Sequence, residues 1–357
     1  MSTTTIRLSV ENWGPIKEGS VEIKPLTIFI GPNSTGKSYL AMLFYALVLA
    51  VSKLSRSFRF ALRGKRLRSE LEVAISALIN AYLRRGSGDS VGELKRLLSS
   101  ALSAEIANIL PTVLREELER VYSSGVGALI KLGSTKAHIE LAVSSPSVEL
   151  SMISEVIPDA LKLKELKLNV KQPLIKRYID FVNFLSPLLL SLPDHRDESE
   201  VAHRVISKQP ELELAAWLSE MTLRAALESV FEGDIHYLPA SRAGILHSYR
   251  SIARALISLA PIAPVRGVEM PGVLGPLADF LGELILMGHE PEEEGPIKAI
   301  ARSLEREVLE GEIALLRQPP EAPPALVFKF DGGSLPIAMA SSMIAEAAPL
   351  SILLKYG

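Results

Sequence analysis

Leu26-Thr-Ile-Phe-Ile30, followed by Gly31-Pro32-Asn33-Ser34-Thr35-Gly36-Lys37-Ser38 and then Tyr39-Leu-Ala-Met-Leu-Phe-Tyr-Ala-Leu47, is the stretch on which the fold turns. The first five residues are apolar and rich in β-formers, the pattern of a fully buried strand. The middle eight satisfy G-x-x-x-x-G-K-[ST], a phosphate-binding loop. The last nine hold good helix formers and no breaker, so the spacing predicts a long buried helix. Glycines let the backbone wrap a phosphate while successive N–H groups and the helix N-terminus point at it. The Lys37 ammonium is then expected to reach β- and γ-phosphates, and the Ser38 hydroxyl to ligate a bridging Mg²⁺, with the whole loop from Gly31 and Tyr39 just after it among the nucleotide contacts. By chance the bare pattern arises in about one chain of this length in a hundred, but the strand before it and the helix after it are the context it requires.

Outward from this stretch, Ile6–Val10 and Ser20–Ile23 alternate like short strands around Gly14-Pro15. Beyond it, helical periodicity in Leu71–Arg84, Val91–Ile106 and Val113–Val121 is interrupted by a β-like pair, His138–Val143 and Val148–Ile153. Residues 51–230 read as a mainly helical insertion containing that hairpin, placed between residues 1–50, the first strands and phosphate loop, and 231–357, a return to the same lobe. In the return, Asp234–Leu238 reads as a strand and Ile297–Leu309 as a helix. Ala325–Phe330 turns at Asp331-Gly-Gly333 into Leu335–Met339, and Ser341–Tyr356 closes as a helix.

Composition agrees with a large core: 357 residues, 48% of them apolar. A net charge of −2 gives no global pull toward nucleic acid or anionic membrane. The absence of cysteine excludes disulfides, thiolate metal sites and a cysteine nucleophile, and makes a reducing cytoplasm the default compartment. The longest apolar runs, Tyr39–Val51 and Phe181–Leu192, are shorter than the roughly 18 residues a membrane span needs. Scarce Asn and Gln, with no Cys, fit a thermophile.

Val10-Glu-Asn-Trp-Gly-Pro-Ile-Lys17, then Ile23-Lys-Pro-Leu-Thr-Ile-Phe-Ile-Gly-Pro-Asn33, resembles the N-terminal signature of the ABC/SMC/RecF-like ATPases, in particular their small AAA-type branch related to the OLD proteins. The resemblance implies an α/β P-loop NTPase fold of the ABC-head type, with an antiparallel β subdomain and a largely helical insertion, that binds ATP and Mg²⁺ and dimerises with nucleotide. Two later segments resemble the family in the same order. Asp234-Ile-His-Tyr-Leu-Pro-Ala-Ser-Arg-Ala-Gly244 occupies the place of the Q-loop, with Ser241 or Arg242 where a glutamine is usual. Leu335-Pro-Ile-Ala-Met-Ala-Ser-Ser-Met-Ile344 is similar to the signature motif, whose serine and amides meet the γ-phosphate held by a second subunit. Ser341 and Ser342 are its candidates, with Met343 where the family has glycine. Ser341 reads equally as the N-cap of the last helix, and Arg242 equally as a residue satisfying loop carbonyls. The resemblance also implies an Asp-Glu pair four apolar residues beyond the signature helix. The sequence stops at Gly357, so hydrolysis is expected to need a Walker B strand from elsewhere, with either a homodimer or a second polypeptide as partner.

Leu188-Leu-Leu-Ser-Leu-Pro-Asp194 and Leu326-Val-Phe-Lys-Phe-Asp331 are poor substitutes for that strand, the first broken by proline and the second by Lys329 and a Gly-Gly turn. Competing readings are a non-hydrolysing ATP-binding regulatory subunit and a P-loop small-molecule kinase. The kinase would need an arginine-rich lid. A basic run from Lys53 through Arg56, Arg59, Arg63, Lys65, Arg66 and Arg68 fits either a nucleic-acid contact or a solvated helix face. His195 and His203 among acids, and Glu292-Glu-Glu294, read as charged surface loops.

Overall fold

A computed structural model describes residues 4–61, 89–171, 235–240, 242–259, 275–287, 295–316 and 325–356. The chain is mixed α/β and divides into two compact units, Met1–Arg120 with Ser124–Gly233, and Asp234–Gly357 with Val121–Ser123.

The first unit is built on a five-stranded antiparallel sheet. Its strands are β1 (Thr5–Trp13), β2 (Ile16–Ile23), β3 (Ala137–Ser144), β4 (Val148–Ile157) and β5 (Ala160–Val170), in the order β2-β1-β3-β4-β5. Alternation along each strand sends one set of side chains to the core, and the register stacks them in rows. Ile6 pairs with Val143, Val143 with Leu150, and Leu150 with Leu168. Leu8 pairs with Leu141, and Leu141 with Met152. All of these are buried. The opposite face carries Arg7, Ser9 and Glu11 on β1, and Glu140 and His138 on β3. The hairpin at 138–153, which the sequence reading assigns to the insertion, therefore belongs to the same sheet as residues 5–23, because β3 pairs with β1 along its length.

Among the described residues this unit also has two α-helices, α1 (Lys37–Ala61) and α2 (Asp89–Tyr122). Two helical stretches read at 91–106 and 113–121 are one helix that runs through Pro111. Lys53 of α1 ion-pairs with the buried Glu117 of α2, which also holds Arg120 at 3.0 Å. Ser99 Oγ accepts the Val170 N–H at 3.2 Å, tying α2 to the edge strand β5. By length and composition Lys37–Leu54 passes as a membrane span, contrary to the expectation from run length. Leu43, Ala46, Leu47, Ala50 and Leu54 are nevertheless buried, as in the core helix of a folded domain.

Leu26–Ile30 departs from expectation. It forms no strand, and Leu26, Ile28 and Ile30 are 78%, 70% and 88% exposed. A buried strand needs neighbours on both edges and cover on both faces, and none of the described residues pairs with this run. At its start Thr27 Oγ1 instead accepts the Lys24 N–H at 2.8 Å, a local turn.

The second unit packs α3 (Arg242–Leu259), α4 (Gly275–Leu286), α5 (Pro296–Leu304) and α6 (Ser342–Tyr356) around a three-stranded antiparallel sheet. Its strands are β6 (Glu312–Leu316), β7 (Ala325–Phe330) and β8 (Gly333–Pro336). Phe280, Ile313, Ala348 and Ile352, none exposed, lie at the centre of its core. The run expected as a strand at 234–238 is not one: Ile235–Pro239 is irregular, with Leu238 packed on the core, and Asp234 lies outside the described residues. A π-helical turn, Glu305–Leu309, follows α5 and leads into β6. There Glu305 is buried. Its Oε1 accepts from Ser351 Oγ at 2.6 Å, Ile313 N at 3.1 Å and Lys355 Nζ at 3.1 Å, and Lys355 also donates to Ile313 O at 2.8 Å.

Candidate nucleotide site

Gly31 to Ser38, expected as a phosphate loop, form a compact turn that opens α1. Gly31 (φ +144°) and Gly36 (φ +96°) occupy backbone conformations that suit glycine, and Ser34 (φ +62°) is a left-handed non-glycine residue between them. Thr35 Oγ1 donates to Pro32 O at 3.0 Å, closing the loop on itself. Lys37 Nζ donates to Gly31 O at 2.8 Å and to Pro32 O, so its ammonium lies across the loop. Gly36 O accepts from Leu40 N at 2.9 Å as the helix begins. Residues Gly31 to Thr35 are exposed, as is the Ser38 residue expected to ligate Mg²⁺. Among the described residues no carboxylate bonds to Lys37, and none groups into a cluster of three metal-ligand side chains.

The loop rests on the turn between β1 and β2. A Cβ on Gly36 would come within 2.4 Å of Ile16 Cγ1 and 3.2 Å of Pro15 Cγ, so the loop backbone lies directly on these side chains. Reciprocally, the Tyr39 ring lies across Gly14 (φ +50°), where a Cβ would come within 2.5 Å of Tyr39 Cδ1. Tyr39, expected among the nucleotide contacts, is therefore engaged with this turn. The sequence reading missed Ile16 as a support; the only available signal was the Gly14-Pro15 break before it.

In the second unit, Ser341 Oγ accepts the Ile344 N–H at 3.4 Å and Ser341 O accepts the Ala345 N–H at 2.9 Å, making Ser341 the N-cap of α6. Ser342 is the first residue of that helix and is exposed. Arg242 begins α3, and its Nε donates to Glu346 O at 2.6 Å and lies 3.2 Å from Glu346 Oε2; its Nη1 reaches Pro239 O at 3.4 Å. The structure thus joins the Q-loop-like segment to the signature-like helix through one guanidinium. Ser241 lies outside the described residues, as do His195, His203, Glu292 to Glu294, the decoy at 188–194, the expected helix at 71–84 and the basic run beyond residue 61. Compared with known proteins, the chain matches no protein-family model and no curated sequence.

Proposed function

We propose that this chain is an ATP-binding module of the P-loop NTPase type, resembling the ABC/SMC/RecF-like heads, in which nucleotide controls association. The observation that carries the reading is the loop Gly31 to Ser38. It opens a helix through two positive-φ glycines and holds its lysine ammonium over its own carbonyls, where a polyphosphate would replace them. Lys37 would meet the β- and γ-phosphates and Ser38 the Mg²⁺. The capped N-terminus of α6 at Ser341 and Ser342 would offer amides to the phosphate of a second subunit, in a homodimer or with a partner polypeptide. Arg242 would hold the loop before α3 against that helix. ATP turnover needs carboxylates to orient water and support the metal. Their absence around Lys37 among the described residues favours a second reading, in which the isolated chain binds nucleotide and turns it over poorly.

The test is equilibrium ATP binding and Mg²⁺-dependent turnover for the wild-type chain and Lys37→Ala. A charge-assisted hydrogen bond contributes about 1.5–3 kcal/mol, so the substitution should weaken ATP by roughly ten- to a hundredfold. Unchanged affinity in Lys37→Ala would remove the proposed function. Robust turnover lost in that variant would exclude the weakly hydrolysing reading.

A further inference from the structure

The β1–β2 turn is held far more firmly than a short hairpin requires. Gly14 N donates to Leu129 O at 2.7 Å, Lys131 N donates to Asn12 O at 2.8 Å, and Lys131 Nζ donates to Pro15 O at 2.9 Å. Trp13 beside it is fully buried and forms a bridge with Ile130. A turn serving only to join two strands would need none of these bonds, since its ends are already paired at Trp13 and Ile16. What the fixed turn touches is the phosphate loop. Ile16 meets the loop where a Cβ would be 2.4 Å from its Cγ1, and Tyr39, one residue past the loop, lies on Gly14.

We propose that this turn is part of the nucleotide-binding machinery, with Ile16 as the positioning residue for Gly36 and Lys131 as the latch that fixes Ile16. The inference rests on the phosphate-loop reading above and adds to it residues outside the motif. Gly36 sits at φ +96° beside Lys37. The peptide between them is therefore set by a contact from another strand, and a loop already in its bound conformation gives up less freedom when it closes on phosphate. Lys131 acts at one remove. Its ammonium holds the Pro15 carbonyl, and the Pro15 ring and the Ile16 side chain together form the surface on which Gly36 lies.

The experiment compares wild type, Ile16→Ala, Ile16→Val, Lys131→Met and Lys37→Ala in the full chain. It measures affinity for ATP and for inorganic pyrophosphate, with unfolding followed in the absence of ligand. Ile16→Ala should weaken ATP and pyrophosphate in parallel by about tenfold while remaining folded at the assay temperature. Ile16→Val, which keeps a γ-carbon against Gly36, should restore most of the loss, and Lys131→Met should fall between. If Lys37→Ala loses ATP while Ile16→Ala and Lys131→Met keep wild-type affinity for both ligands, the positioning role is wrong and the phosphate-loop reading stands. If Ile16→Ala loses affinity only in proportion to its unfolded fraction, the role is purely structural and the proposal is overturned. If Lys37→Ala itself binds normally, the reading beneath the proposal fails first.

Discussion

Replacing Lys355 by methionine tests the energetics of the second unit. The Lys355 side chain has no exposure and that of Glu305 is 4% exposed, so the ion pair between α6 and the π-turn is out of water. Methionine keeps the length of the stem but removes the ammonium. Glu305 retains its bonds from Ser351 and Ile313, while its nearest remaining cation is Arg302 at 3.8 Å, and the Ile313 carbonyl loses the lysine donor. Breaking a buried pair from one side leaves an uncompensated charge, at a cost of about 3–5 kcal/mol. For a unit of this size that corresponds to a fall in melting temperature of roughly 10 °C or more. Because the chain has two units, local hydrogen exchange is the suitable assay, read at the amides of β6 and the second half of α6. Their protection should fall together by the stated amount, with β3 and β4 unchanged. The double variant Lys355→Met with Glu305→Gln should recover most of it, since glutamine still accepts from Ser351 and Ile313 without a charge. A Lys355→Met chain that keeps full protection, or a double variant no better than the single, would refute the reasoning.

Three further outcomes follow from other contacts. Hydrogen bonds from Lys164 and Lys136 hold the Glu155 carboxyl at about 2, below its ordinary 4.5. Its folded value lies below its unfolded one, so the stabilisation is full above about pH 4.5 and is lost as pH falls toward about 2. The acid limb of a urea-midpoint titration should therefore be shallower in Glu155→Gln than in wild type; parallel limbs would contradict this. Gly127→Ala would place a Cβ 2.4 Å from Pro158 O, a backbone atom, and should destabilise the first unit by about 1–3 kcal/mol, seen as faster exchange in β4. Ser341→Ala removes a long cap bond and should cost about 0.5–1 kcal/mol, read as earlier fraying of α6 amides, with no change in β6.

The parts of this fold that were legible are those whose signal is local. Strict alternation in His138–Val143 and Val148–Ile153 gave β3 and β4, and the Asp-Gly-Gly turn gave β7, but its partner β8 is Gly333–Pro336 rather than Leu335–Met339, because the chain leaves the sheet after Pro336 and Ile337–Met339 is a 3-10 turn. The helix-opening turn at Gly31 to Ser38 was legible because its glycines, here at positive φ, mark the break before α1. β5 was missed because Lys162, Lys164 and Lys167 make it look like a solvated segment, which is how an edge strand is protected. β6 was missed because it is only five residues long, Glu312–Leu316, and only Glu310 and Gly311 separate it from the helical pattern before it. Leu26–Ile30 failed in the other direction, since apolar content reveals what a segment can bury and not whether a neighbour is present. The support at Ile16 was hidden for another reason: its partner is a glycine, which leaves no side chain in the sequence to suggest contact.

The pairing of β1 with β3 brings Thr5 beside Ser144, and α1, α2 and the loop Gly31 to Ser38 all lie within the chain between them. Closing so long a loop has an entropic cost that only the finished sheet repays, and such non-local pairing slows folding. A ribosome working from the N-terminus makes Gly31 to Ser38 early, but it makes Leu129 to Lys131, and the strand that fixes β1, much later. The nascent chain therefore carries this loop without the seat beneath it while residues 39–144 are made. The seated form of this loop, and with it the nucleotide binding proposed for it, should arrive late and abruptly, as a product of topology, once residue 144 has left the exit tunnel.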